Sequence, residues 1–151
     1  MLFSETVENA GSVFVDTAPI IYFIEAHPVY GPLMKQLVTA LSKGRIAASS
    51  SVITLAEVLP VPVRAGNEKL ARMFAQFLKH AKNLTLAPIS AEIAEGAGRL
   101  RAKYPNLKAF DAIQIAAALH TRSGLFLTND KKLRHIREIE VLVMEDYATE
   151  L

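Results

Sequence analysis

Short apolar runs rich in β-branched residues recur along the chain, and most are followed by a longer stretch with helical spacing. Val13-Phe14-Val15, Ile46 to Ser50, Leu84 to Ile89, Leu125-Phe126-Leu127 and Val141 to Met144 read as strands. Parallel strands are buried on both faces and cannot be joined by a tight turn, so a helix must carry the chain back between them. The alternation predicts an α/β fold: a single three-layer domain with a mainly parallel sheet of about five strands, flanked by helices. The domain is expected to take in residues 1–151, with its core at about 13–144.

The intervening segments carry helix signals. Pro19 opens a first helix through IIYFIEAH from the favoured first-turn position. Leu33, Leu37, Val38 and Leu41 stripe a second, which Gly44 ends. Ser51 or Thr54 caps a short helix that carries Glu57, and Pro60 and Pro62 stop it. Asn67 to Lys82 is amphipathic, with Leu70, Phe74, Phe77 and Leu78 on one face. Ser90 caps a helix bearing Ile93, Ala97 and Leu100, and Ala109 to His120 forms the next. Thr128-Asn129-Asp130 is a turn that starts a short basic helix, and the residues before Val13 read as a polar lead-in.

Of 151 residues, 51% are hydrophobic, which suffices for a proper core and excludes overall disorder. No apolar run reaches the roughly 18 residues that span a bilayer. MLFSETVENAGS lacks the basic flank and apolar segment of a signal peptide. There is no cysteine, hence no disulfide and no thiolate ligand. A cytoplasmic protein without membrane contact is expected.

Four acids stand out by context. Asp16 follows the first strand directly and Asp130 the fourth, while Glu57 lies on the element leaving the second. Sites in open α/β sheets form beyond the C-terminal strand ends, so these three share one rim if strands two, one and four are neighbours. Asp111 lies in AFDAIQIAAAL, which is apolar nearly all round and must be largely buried. A buried carboxylate needs a cation, hydrogen-bond donors or a raised pKa. Glu57, within VITLAEVLPVPV, has no adjacent basic residue either. Oxygen ligands without cysteine suit a hard cation, Mg²⁺ or Mn²⁺, and four clustered carboxylates would repel one another without it. The chemistry that follows is metal-assisted phosphodiester hydrolysis, which requires no nucleophilic side chain. The net charge of +2 hides a distinctly basic remainder once four acids are set aside, and that suits a polyanionic substrate.

VFVDTAPIIYFIE around Asp16, SSSVITLAEVL around Glu57, AFDAIQIAAAL around Asp111 and LFLTND ending at Asp130 together resemble the PIN-domain nucleases. Within them the likeness is to VapC-type toxins of prokaryotic toxin–antitoxin pairs, and it runs from about Val13 to about Met144. The resemblance implies a compact α/β fold, Mg²⁺ or Mn²⁺, and endonucleolytic cleavage of RNA. It also implies a homodimer and a small antitoxin that blocks the site. By position, Asp16, Glu57 and Asp111 look like the core acids and Asp130 the fourth, with Thr128 and Asn129 as its supporting polar shell. LPVPVRAGN departs from the family pattern, in which this helix commonly continues towards a glycine.

Other roles stay open for these residues. Asp16 and Asp130 suit helix caps, Asp111 a first-turn acid favoured by the helix dipole, and Glu57 a pair with Arg64. Gln114, one turn beyond Asp111, faces substrate or is simply buried and hydrogen-bonded; Thr17 offers its hydroxyl to phosphate or shapes a turn. Lys108, Lys131, Lys132 and Arg134 are candidates for the RNA backbone, as are Arg99, Arg101 and Lys103, or they form solvated helix faces. A phosphatase of the haloacid dehalogenase type would need a second Asp where Ala18 stands, and DTAPI is not a glycine-rich nucleotide loop. The alternatives to a toxin are a housekeeping RNA-processing nuclease and a module that binds RNA or protein without cutting.

Overall fold

The computed structural model describes residues 1–150. Five strands, β1 (Ser12–Val15), β2 (Ala47–Ser51), β3 (Leu84–Ala87), β4 (Leu125–Thr128) and β5 (Glu140–Val143), form one sheet in the order β3-β2-β1-β4-β5. Every pairing is parallel, so the sheet is wholly rather than mainly so. Strands two, one and four are neighbours, and the chain order reverses on either side of β1. Such a switch point is where open α/β sheets place their sites.

Helices cover both faces. α1 (Phe3–Ala10), α2 (Thr17–Ile24), α3 (Tyr30–Ser42), α4 (Val52–Val58), α5 (Pro60–Arg64) and α6 (Glu68–His80) precede β3, and α7 (Ala91–Lys103) and α8 (Ala109–His120) precede β4. Short 3₁₀ turns at Lys131–His135 and Met144–Tyr147 complete the described chain. Alternate strand residues feed two cores. Val13, Val15, Leu125, Leu127 and Leu142 pack with Phe3, Leu33, Met34, Phe74 and Leu78 on one face. Phe14 and Phe126 pack with Ile93, Leu100, Ile115 and Ala117 on the other. Phe14 and Phe126 are register partners, and their rings stack with centroids 5.6 Å apart.

Two segments differ from the sequence expectation. The polar lead-in is α1. Phe3 and Val7, four residues apart, are its only buried residues, and Gly11 closes it in a left-handed conformation at φ 75°. Two apolar residues in eight leave too thin a stripe to stand out against six polar or small neighbours. After Pro60 the chain does not go irregular but starts α5, with Pro60 and Pro62 in its first turn. Those N–H groups would have no intrahelical partner, so proline is harmless there. The remaining differences are shifts of element ends, such as α2 starting at Thr17 and β3 ending at Ala87.

Candidate functional site

β1 and β4 run side by side and end together, Val15 pairing with Leu127, so the residues that follow them meet on one rim. Asp16 caps α2: its Oδ1 accepts the Thr17 N–H at 2.8 Å. Its Oδ2 accepts the Thr128 hydroxyl at 2.9 Å. Both the cap role and the rim position are therefore real. Burial raises the Asp16 pKa above the ordinary value of 3.8 and Glu57 adds to the rise, while the bonds from Thr17, Thr128 and Gln114 oppose it.

Glu57 is exposed on α4, and its Oε1 accepts the Thr17 hydroxyl at 2.7 Å. Arg64 is not its partner; the guanidinium Nε lies over the Pro60 carbonyl instead. Asp130 caps the basic 3₁₀ turn by accepting the Lys132 N–H at 3.0 Å, while its own N–H donates to Thr128 Oγ1 at 3.1 Å. Thr128 thus ties Asp16 to the Asp130 backbone.

Asp111 sits half-buried in the first turn of α8, and its pKa is pushed up to about 6. Burial is the main cause, followed by repulsion from Asp16, Asp130 and Glu57; Lys108 pulls weakly the other way. The other three carboxylates therefore all act on Asp111. Glu57, Asp111 and Asp130 line a single cavity of about 510 Å³, with Lys108 at its edge. None of the ion pairs among the described residues involves any of the four acids. Nor are three acidic or histidine side chains among the described residues drawn close enough to make a closed ligand set. The rim is shared, but Thr17, Thr128 and the Lys132 N–H hold the carboxylates as separate groups.

Beneath Asp16 lies a buried polar cluster of which the sequence reading placed only Gln114 near the site. Gln114, 1% exposed, donates through Nε2 to Thr54 Oγ1 at 2.7 Å and reaches Asp16 Oδ1 at 3.5 Å. The Ser51 hydroxyl donates to Gln114 Oε1, and Ser50 Oγ lies 2.8 Å from the Val15 carbonyl and 2.9 Å from Thr54 Oγ1. Gln114 is thus both buried and connected to the site. The signal was present in AASSS, because a central parallel strand should be apolar throughout.

The remaining candidates divide. Lys108 and Lys132 line a second cavity beside Asp111 and Asp130, of about 490 Å³. Lys131 and Arg134 instead pair with Glu145 at 3.1 Å and Asp146 at 2.7 Å. Lys103 pairs with Glu138, Arg101 leans on the Leu107 carbonyl, and Arg99 lines a separate hollow with Glu92 and His120. Asn129 points away from the acids: its Nδ2 donates to Tyr22 Oη at 3.1 Å, and its Oδ1 accepts the Glu145 N–H at 2.9 Å. It staples the exit of β4 to α2 and the last 3₁₀ turn.

Residues 13–139 match the family model of the PIN domain. Similar solved structures include the VapBC2 complex of Rickettsia felis bound to a DNA fragment from its promoter, at 19% identity and TM-score 0.68, covering 87% of this chain and 98% of that one. A toxin–antitoxin complex from Klebsiella pneumoniae is 25% identical, with TM-score 0.64 over 87% of this chain and 96% of that one. VapC20 of Mycobacterium tuberculosis, a toxin that cleaves the sarcin–ricin loop, is 16% identical, with TM-score 0.63 over 84% of this chain and 98% of that one. No curated protein gives a match.

Proposed function

The chain belongs to the PIN-domain family, and from that premise we propose that it is a divalent-metal-dependent endoribonuclease, the toxin of a toxin–antitoxin pair. The observation that carries this reading is Asp111, a half-buried carboxylate that shares one cavity with Glu57 and Asp130, is paired with no cation among the described residues and has its pKa raised to about 6. The donor set fits a hard cation: all carboxylate oxygen, no sulfur, no imidazole. Asp16, Glu57, Asp111 and Asp130 would hold Mg²⁺ or Mn²⁺ on this rim. When bound, the ion supplies electrostatic stabilisation of a phosphodiester undergoing attack by water.

The chain's own residues do the rest. Thr17 donates its hydroxyl to Glu57 and its backbone N–H to Asp16, and Thr128 donates to the second Asp16 oxygen, so neutral donors orient both oxygens of Asp16 and one of Glu57. Gln114 and Thr54 support Asp16 from beneath, so that it holds its place without a cationic side chain. Lys108 and Lys132 flank the acids and would draw the RNA backbone across them. Lys131 and Arg134 can join only by giving up exposed ion pairs, which are weak. A small antitoxin partner, a homodimer and a cytoplasmic site of action belong to the same reading. The toxin–antitoxin complexes among the similar structures support the partner.

The test is cleavage of RNA in Mg²⁺, Mn²⁺ or EDTA by the wild type and Asp111→Asn. Endonucleolytic products are expected with metal, and a loss of about 100-fold or more in rate in the variant. Cleavage that persists in EDTA refutes the mechanism. Growth arrest on expression, relieved by the product of a neighbouring gene, is expected of a toxin; cleavage without arrest favours RNA processing.

A further inference from the structure

Phe110 stands immediately before Asp111 in the first turn of α8, and it is 55% exposed. Aromatic rings of that size normally bury themselves or serve a partner. Its side chain lines the same cavity as Glu57, Lys108, Asp111 and Asp130, where it is the one large apolar wall. The other exposed large apolar side chains among the described residues, Val52, Val61, Val63, Met73 and Leu119 included, line no part of that cavity.

We infer that Phe110 is a stacking platform for one nucleobase of single-stranded RNA, next to the phosphate that is cut. The inference rests on the nuclease reading above and names how the substrate is held. A nucleotide is a flat ring tethered to an anion, and this cavity offers a flat ring beside a lysine and a group of carboxylates suited to a cation. An apolar protein segment packed on Phe110 would instead bury Lys108 and three carboxylates without partners, at heavy desolvation expense. A base in a duplex has its faces covered by its neighbours, whereas a splayed base presents one freely.

The two cavities extend this picture. The hollow of about 510 Å³ holds Phe110, and that of about 490 Å³ holds Asn106, Lys132 and His135. Both are lined by Lys108, Asp111 and Asp130. Asp111 and Asp130 therefore lie between two hollows. A strand crossing them would place its phosphate over the carboxylates, one neighbouring base against Phe110, and the next nucleotide towards Asn106 and Lys132. Stacking is indifferent to base identity, so Phe110 would favour unpaired segments over any one sequence.

The test is an abasic scan. A labelled single-stranded RNA, with one abasic nucleotide moved along it, is bound by the wild type and by Phe110→Ala, Phe110→Leu and Phe110→Trp. Binding is read by anisotropy in Ca²⁺, a hard cation with the same taste for oxygen. One abasic position is expected to weaken wild-type binding roughly tenfold, with no further loss in Phe110→Ala. Phe110→Trp should behave as wild type and Phe110→Leu as Phe110→Ala. Wild-type affinity in Phe110→Leu, or abasic losses that remain in Phe110→Ala, overturn the inference. So does a Phe110→Ala protein that falls from dimer to monomer while its affinity per site is unchanged. Cleavage measured in parallel separates the two readings. A wild type that cuts without this coupling sinks the platform alone; one that shows the coupling without cutting sinks the nuclease alone.

Discussion

Asp111, proposed above as a metal ligand, works against the fold that carries it. Its folded pKa of about 6 lies above the ordinary 3.8, so the folded chain holds this proton more tightly than the unfolded one. The stability it contributes is complete below about pH 4 and is lost as pH rises through 6. In EDTA, Asp111→Asn is therefore expected to melt above the wild type at pH 7 to 8, with the gap narrowing as pH falls from 6 towards 4. Thermal melts across that range check it; a variant that melts below the wild type at pH 8 contradicts the repulsion. Divalent cation should close the same gap from the other side, because binding requires the deprotonated carboxylate. Asp111 was legible in the sequence because ten apolar or neutral residues surround it in AFDAIQIAAAL. Asp16 was legible from its place after a strand. The bonds that hold Asp16 were not, since Thr17, Gln114 and Thr128 belong to three different elements and meet only in the folded chain.

At the scale of elements, the site depends on α4 and α8 being pinned together under the end of β1. Gln114 on α8 reaches Thr54 on α4, and both are buried. Thr54→Val keeps the shape and removes the acceptor, leaving a buried amide N–H with less to bond. The expected destabilisation is about 1–3 kcal/mol, read as a lower urea midpoint at unchanged m. Activity should fall as well, because Gln114 is free to turn from Asp16. A Thr54→Val protein with wild-type midpoint and rate would show that the pair positions nothing. The strands were readable because β-branched apolar runs leave few alternatives. α1 was not, because its buried stripe is only Phe3 and Val7 and its helicity is decided by packing on the core. Nor could composition separate Lys108 and Lys132 from Lys131 and Arg134. What divides them is where Glu145 and Asp146 come to rest after β5.

The whole molecule adds what no segment holds: the order β3-β2-β1-β4-β5. It sets β1 between β2 and β4 and brings residues 16, 57, 111 and 130, spread over most of the chain, to one rim. Strand order was conditional in the sequence, because parallel crossovers of similar length permit several arrangements. With that order Asp111 is repelled by the other three carboxylates, and none of the four finds a paired cation among the described side chains. A bound divalent ion should therefore stabilise the fold as a whole. The most direct measurement is the melting temperature of the wild type and Asp16→Asn with increasing Mn²⁺, in metal-stripped buffer near pH 7.5. At about 100 times the dissociation constant, binding adds roughly 2.7 kcal/mol, which for a chain of this size raises Tm by about 5–10 °C. That rise is expected in the wild type and is expected to be largely absent from Asp16→Asn. No rise in the wild type, or an equal rise in Asp16→Asn, would contradict a metal site built on these four carboxylates.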